Sequence, residues 1–203
     1  MYTLYDFLPS GNGYKVRLLL TQLGIPFTYV EKDILEGETR TDDFLKLNPN
    51  GRIPLLQLPN GDTLAESNAI LNYLAEGTKF LPTDRLEKAR ALQWMFFEQY
   101  SHEPNIAVAR FWLTHGTMTA EQKALMPEKQ KGGYAALDVM EQQLSKSPYL
   151  VGGAYTIADI ALYAYTHVAE EGGFDLANYP EVRAWLARVR SQPAHIPITK
   201  SPE

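Results

Sequence analysis

Glu66 and Ser67 pair an ionised acid with a small hydroxyl where a strand gives way to a helix, a compact polar hook for a zwitterionic ligand. Twelve residues before Glu66 stands Pro54, in Arg52-Ile53-Pro54, where a strand begins. If its bond is cis, an uncommon state usually kept for a reason, the preceding backbone amide turns outward. Together the two motifs suit a peptide-like molecule gripped by its backbone and its amino-acid end. A third cluster, Ser10-Gly11-Asn12-Gly13, lies where a first strand passes into a first helix. Exposed N–H groups and the positive end of the helix dipole favour a negative charge there, a thiolate included. Ser10 adds a hydroxyl donor and Asn12 an amide donor. Each motif also has an ordinary structural reading. Ser10 or Asn12 is a good helix N-cap, Pro54 in the trans form is a good edge-strand opener, and Glu66 is a good first-turn acid. All three fall at junctions at one end of a small sheet, where open α/β folds bind ligands.

The elements that must position them follow from pattern. Tyr2 to Phe7 reads as a strand, and Val16, Leu19, Leu20 and Leu23 put one apolar face on a helix from about Tyr14 to Leu23. Gly24 stops that helix, and residues 26–30 form a second strand, completing a βαβ unit. Thr41 caps a short helix through Leu47. Strands at 54–58 and 63–65 flank an Asn-Gly hairpin turn, and a helix runs from about Ser67 to Ala75. Beyond the Gly-, Thr- and Pro-containing stretch 77–84 the period is helical throughout, over about 85–115, 119–146, 156–170 and 179–191. The fold class is therefore α/β plus all-α: a thioredoxin-like βαβ–ββα domain over 1–76, a linker over 77–84 and a helical domain over 85–203. Thr156 and Asp159 form a variant capping box at the start of one of those helices.

Composition narrows the function. The 203 residues are 45% hydrophobic and 21% charged, enough for a sizeable core. A net charge of −5 argues against a nucleic-acid footprint. No apolar run approaches a membrane span, and no basic leader precedes the first strand, so the expectation is a cytoplasmic protein without membrane contact. Cysteine is absent, which excludes disulfides, thiolate metal sites and a thiol nucleophile of the chain's own. Any sulfur chemistry must use a ligand's sulfur. No His/Asp/Glu grouping has metal-ligand spacing, so no metal is expected.

The chain resembles the soluble glutathione S-transferases over essentially its whole length. The matching segments are Ser10-Gly11-Asn12 with Lys15-Val16-Arg17-Leu18-Leu19-Leu20, then residues 48–56, Leu64-Ala65-Glu66-Ser67-Asn68-Ala69-Ile70, and Tyr155-Thr156-Ile157-Ala158-Asp159. The resemblance implies glutathione as co-substrate, with Ile53 offering its backbone to the cysteinyl part across a cis Pro54. It implies that Glu66 and Ser67 hold the γ-glutamyl end and that Arg52 lies near the peptide or its glycyl carboxylate. Ser10 matches the sulfur-binding residue of serine-type members, with Asn12 in support. Where many of these carry His or Lys for the glycyl carboxylate, this chain has Thr39 beside Arg40. A small, largely apolar electrophile would bind between the domains, with Phe7 and Leu8 facing a helix bearing His102, Asn105, Ala109 and Arg110. An ordinary surface histidine is the other reading of His102. A homodimer is implied as well, with Trp94, Phe97, Ile106 and Trp112 as core or dimer surface. Conjugation is the first expectation. Peroxide or disulfide reduction, isomerisation, or a non-catalytic binding module on the same fold are its rivals.

Overall fold

A computed structural model of the chain describes residues 1–202. They form two units, Met1–Thr78 together with the residues from Pro193 on, and Lys79–Gln192.

The first unit is built on a four-stranded sheet in the order β2-β1-β3-β4. Its strands are β1 (Tyr2–Asp6), β2 (Phe27–Glu31), β3 (Leu55–Gln57) and β4 (Thr63–Ala65). β1 runs parallel to β2 and antiparallel to β3, and β3 is antiparallel to β4. Three helices accompany it, α1 (Gly11–Leu23), α2 (Asp42–Leu47) and α3 (Ser67–Ala75). This is the thioredoxin-like order expected from the sequence. Leu4, Val16, Leu18, Leu19, Leu20, Leu55, Leu56, Ile70 and Leu71 form its core.

α1 begins three residues earlier than its apolar period suggests. Ser10 caps it, and Gly11 and Gly13 lie in the first turn, where helical N–H groups have no intrahelical partner. Gly13 is required by packing, because a Cβ there would lie 1.5 Å from Asp6 Oδ1. Gly24, in the left-handed conformation at φ 66°, ends the helix.

The second unit is helical: α4 (Arg85–Phe97), α5 (Glu103–Thr114), α6 (Ala120–Leu144), α7 (Ile157–Thr166) and α8 (Pro180–Arg190). The single helix expected over 85–115 is interrupted by a π turn at Glu98–His102. Pro104, in the first turn of α5, lacks an N–H and cannot continue a regular α ladder from the preceding turn, so the wider turn absorbs the break. The tail differs from the sequence expectation too. From Pro193 on it belongs with the first unit, where Arg17 Nη1 donates to the carbonyls of Ile198 and Lys200 at 3.0 and 3.1 Å.

The capping box at Thr156 forms as read. Asp159 is fully buried and accepts from Thr156 N, Leu150 N and Trp185 Nε1 at 2.9, 3.0 and 2.9 Å. Burial pushes its carboxyl up to about 6, against the pull of those hydrogen bonds. Because the folded value lies above the ordinary 3.8, the folded state holds the extra proton. This group's contribution is therefore fully present below the ordinary carboxylate range and is lost as pH rises towards 6. Asp159→Asn removes the titration. Its urea midpoint should lie furthest below wild type at pH 4 and approach it by pH 7; a gap that widens over that range would refute the assignment.

Candidate functional site

Three junctions leave the sheet from one row of residues. Tyr5 of β1 pairs with Leu55 of β3, and Leu55 pairs with Ala65 of β4. β1 therefore runs out towards Ser10 at the end where β3 starts after Pro54 and where β4 ends before Glu66. The antiparallel register turns motifs 56 residues apart in sequence, Ser10 to Glu66, into neighbours.

Ser10 is half-buried and is the N-cap of α1, its Oγ accepting from Gly13 N at 3.4 Å. The cap takes a lone pair of the hydroxyl and leaves its proton as a donor, so capping and donation to a ligand are compatible roles. Asn12 lies in the same turn. Its Oδ1 accepts from Lys15 Nζ at 2.8 Å and from Ser67 Oγ at 3.2 Å, which turns the Nδ2 donor end away from both. Ser67 is 5% exposed and opens α3, so its hydroxyl ties the first turns of the two helices together.

Glu66 precedes α3 with φ 68° and ψ 111°, and its side chain caps nothing. A non-glycine residue at positive φ costs on the order of 1–3 kcal/mol. Its carboxylate is exposed. Strain of this kind clusters at ligand sites. Glu66→Gly should therefore melt at or above wild type, since glycine adopts this conformation without strain. A melting curve checks it; a clear drop in melting temperature would show that the Glu66 side chain contributes more than its backbone strain costs.

The Ile53–Pro54 bond is cis. Asn48 shapes the loop before it, donating through Nδ2 to Arg52 O at 2.8 Å and accepting from Asn50 N at 3.1 Å. Arg52 is exposed. Arg40 reaches the same loop, with Nη1 3.0 Å from Asn50 O. Gly51 sits beneath it at φ 60°, where a Cβ would fall 2.5 Å from that nitrogen and 2.9 Å from Thr39 O. Thr39 itself is buried. Arg40, from the short helical turn Glu38–Arg40, thus reaches the loop that carries Arg52.

Phe7 and Leu8 carry the loop between β1 and Ser10. Asp6 Oδ1 accepts from Phe7 N at 2.7 Å, Glu31 Oε1 from Leu8 N at 3.0 Å, and Leu8 O accepts from Arg17 Nη2 at 2.6 Å. The Leu8 residue is thereby pinned at both its amide and its carbonyl. Tyr29 donates to the other oxygen of Glu31. Burial pushes the Tyr29 hydroxyl pKa upward, and its bond to Glu31 adds to this, so it stays a donor. Lys15, Arg17, Asp6 and Glu31 were not among the site residues read from sequence.

The residues read as a second-substrate face have partners within the second unit. His102 is fully buried with Nε2 2.9 Å from Thr166 Oγ1. Asn105 donates to Ser101 O at 2.7 Å, and Arg110 pairs with Glu171 at 2.7 Å. His102 also belongs to the π turn, which breaks the uniform helical phase that grouped it with the others. No group of three or more His, Asp or Glu among the described residues could hold a metal ion. Among the described residues no helix is long and apolar enough to cross a membrane.

Residues 1–76 match the glutathione S-transferase N-terminal domain and residues 95–193 the C-terminal domain. The disulfide-bond oxidoreductase YfcG of Escherichia coli is 33% identical over 201 residues, covering 96% of this chain and 92% of that protein. A glutathione S-transferase from Pseudomonas fluorescens is 55% identical, with a TM-score of 0.96 over 98% of this chain and 99% of that one. A glutathione transferase from Burkholderia graminis, solved with two glutathione molecules bound per subunit, is 29% identical. Its TM-score is 0.83, over 95% of this chain and 85% of that one. With both domain families matched and the likeness running through nearly its whole length, the chain belongs to the glutathione S-transferase family.

Proposed function

We propose that the chain is a glutathione transferase: it binds glutathione in its first unit and presents the sulfur, as a thiolate, to an electrophilic and largely apolar small molecule. The observation that carries this reading is the Tyr5–Leu55–Ala65 row, from which the Ser10, Ile53–Pro54 and Glu66–Ser67 junctions all depart. In this reading Ser10 donates its hydroxyl proton to the sulfur and Asn12 supports it through Nδ2. The backbone of Ile53 holds the cysteinyl unit, the Glu66 carboxylate holds the γ-glutamyl amine, and the backbone N–H of Ser67 at the start of α3 holds the γ-glutamyl carboxylate, its hydroxyl proton being given to Asn12. Arg52 and Arg40, with Thr39 behind them, face the glycyl carboxylate.

The α1 N-terminus and the Ser10 hydroxyl both favour the charged sulfur, lowering the thiol from its ordinary pKa of about 8.5. Catalysis is then thiolate stabilisation plus proximity. The thiolate attacks the electrophilic carbon, the new C–S bond forms, and the leaving group departs with the bonding electron pair. The thiol's proton goes to solvent.

A second reading, reduction of small disulfides, is favoured by the name of the Escherichia coli relative and by the two glutathione molecules in the Burkholderia graminis structure. Because this chain has no cysteine, both sulfurs needed for exchange would come from glutathione. One thiolate would attack the disulfide and release a thiol. The second would resolve the mixed disulfide, giving oxidised glutathione and the second thiol. Turnover of an aryl halide, an organic peroxide and a small disulfide, each with glutathione, separates these chemistries. The proposal expects the aryl conjugate. Turnover of the disulfide alone would replace it with the second reading, and glutathione binding without any turnover would make the chain a binding module.

A further inference from the structure

Lys15 is fully buried on α1, between the buried Tyr14 and Val16. An ammonium withdrawn from water costs several kcal/mol before its partners compensate, whereas a Met or Leu would fill similar space on a helix without that penalty. At a helix N-terminus a cation is also the unfavourable sign, since the dipole's positive end is already there. A lysine in this place needs a reason.

Its hydrogen bonds supply one. Nζ donates to Asn12 Oδ1 at 2.8 Å and to Ser67 Oγ at 3.3 Å, and Ser67 Oγ lies 3.2 Å from Asn12 Oδ1. The three side chains close a triangle. One corner is the first turn of α1, on the sulfur side of the proposed site; another is the first residue of α3, on the γ-glutamyl side. The ammonium has only donors, so the atom of Asn12 that faces it must be the carbonyl oxygen, which fixes the orientation of the amide. Ser67, accepting from Lys15, sends its own proton to the same oxygen. Two helix N-termini, each carrying partial positive charge, are thus tied through one ammonium.

We propose that Lys15 is a positioning residue of the glutathione site, an inference that rests on the function proposed above. It orients the Asn12 amide towards the sulfur and locks the α1 and α3 N-termini at a fixed separation. It acts through Asn12 and Ser67.

The test is the thiolate absorbance of bound glutathione against pH, with steady-state kinetics, in wild type, Lys15→Met, Asn12→Ala and the double variant. Lys15→Met should shift the thiolate curve to higher pH and lower kcat by roughly tenfold, the scale of one hydrogen bond to a charged group. Asn12→Ala in the Lys15→Met background should add little, because the two act as a unit. A folded Lys15→Met protein with the wild-type curve and kcat, or losses that simply add in the double variant, would overturn the proposal. Should Lys15→Met fail to fold, Lys15→Arg keeps the charge but displaces the donors, and a curve between wild type and no activation is expected. A wild-type curve in Lys15→Arg would then overturn it. No thiolate band in wild type would defeat the proposed function and this inference together, whereas a band unaffected by position 15 would defeat this inference alone.

Discussion

Ser10→Ala is expected to lower turnover by about 10²-fold while leaving glutathione affinity within a few fold, the scale seen when one preorganised donor to a developing or stabilised anion is removed. The binding contacts proposed for Ile53, Glu66 and Ser67 do not involve Ser10, so the peptide should still dock. What is lost is the hydroxyl proton proposed to face the sulfur. Alanine also removes the cap on Gly13 N, worth about 1 kcal/mol, so a modest drop in melting temperature is part of the expected result. Ser10→Asp separates the two roles. It keeps a good capping acceptor, with a charge that suits the helix N-terminus, but sets that negative charge where the thiolate must form. It should be as stable as wild type and nearly inactive. Full turnover in either variant would remove Ser10 from the mechanism.

The second large effect is on stability. Arg17 is fully buried, and its guanidinium bonds Asp6 Oδ2 at 2.9 Å through Nε, the tail carbonyls of Ile198 and Lys200 through Nη1, and Leu8 O through Nη2. One side chain therefore joins the end of β1, the loop leading to Ser10 and the segment after Pro193. Burial pushes the Asp6 carboxyl upward, and Arg17 and the Phe7 N–H pull it back. Arg17→Met leaves that carboxylate buried without its cation and strands several carbonyls. Breaking such a pair costs roughly 3–5 kcal/mol. Urea unfolding measures it. Asp6→Asn combined with Arg17→Met should cost clearly less than the two single losses summed, because each single change strands the other partner. A wild-type midpoint for Arg17→Met would contradict the account. Tyr14, whose hydroxyl donates to Ile196 O at 2.7 Å, anchors the same tail.

The fold was legible where residue type constrains backbone. The βαβ–ββα order followed from strand and turn composition, and β4 and α3 fall at the residues the pattern picked. Ser10, Pro54 and Glu66 each had an ordinary use as cap, strand opener and helix-start acid, and what singled them out was their common place at one end of the sheet, which the strand register reproduces. The polar frame behind them was harder to see. Val16, Leu19 and Leu20 define one face of α1, and Lys15 and Arg17 look like its flanks. The available signal was Leu18: a large apolar residue opposite Val16 means that the helix is buried all round, and its charges with it. The docking of the tail left little mark, since beside the contact of the Tyr14 hydroxyl with His195 Nε2 at 3.2 Å, Arg17 and Tyr14 bond backbone carbonyls that any sequence would offer. Gly13 read as a turn former, yet its absence of a Cβ serves the Asp6 carboxylate. The π turn was likewise hidden, although Pro104 was a hint that one helix would not run from 85 to 115.

Everything proposed for the site depends on glutathione being held as a thiolate at the start of α1. Ultraviolet difference titration of the bound tripeptide against pH tests it most directly. A thiolate band well below pH 8 is expected in wild type, displaced upward in Ser10→Ala; two pKa units between free and bound thiol would correspond to about 2.7 kcal/mol. Binding with a thiol that ionises as it does free in solution would contradict it.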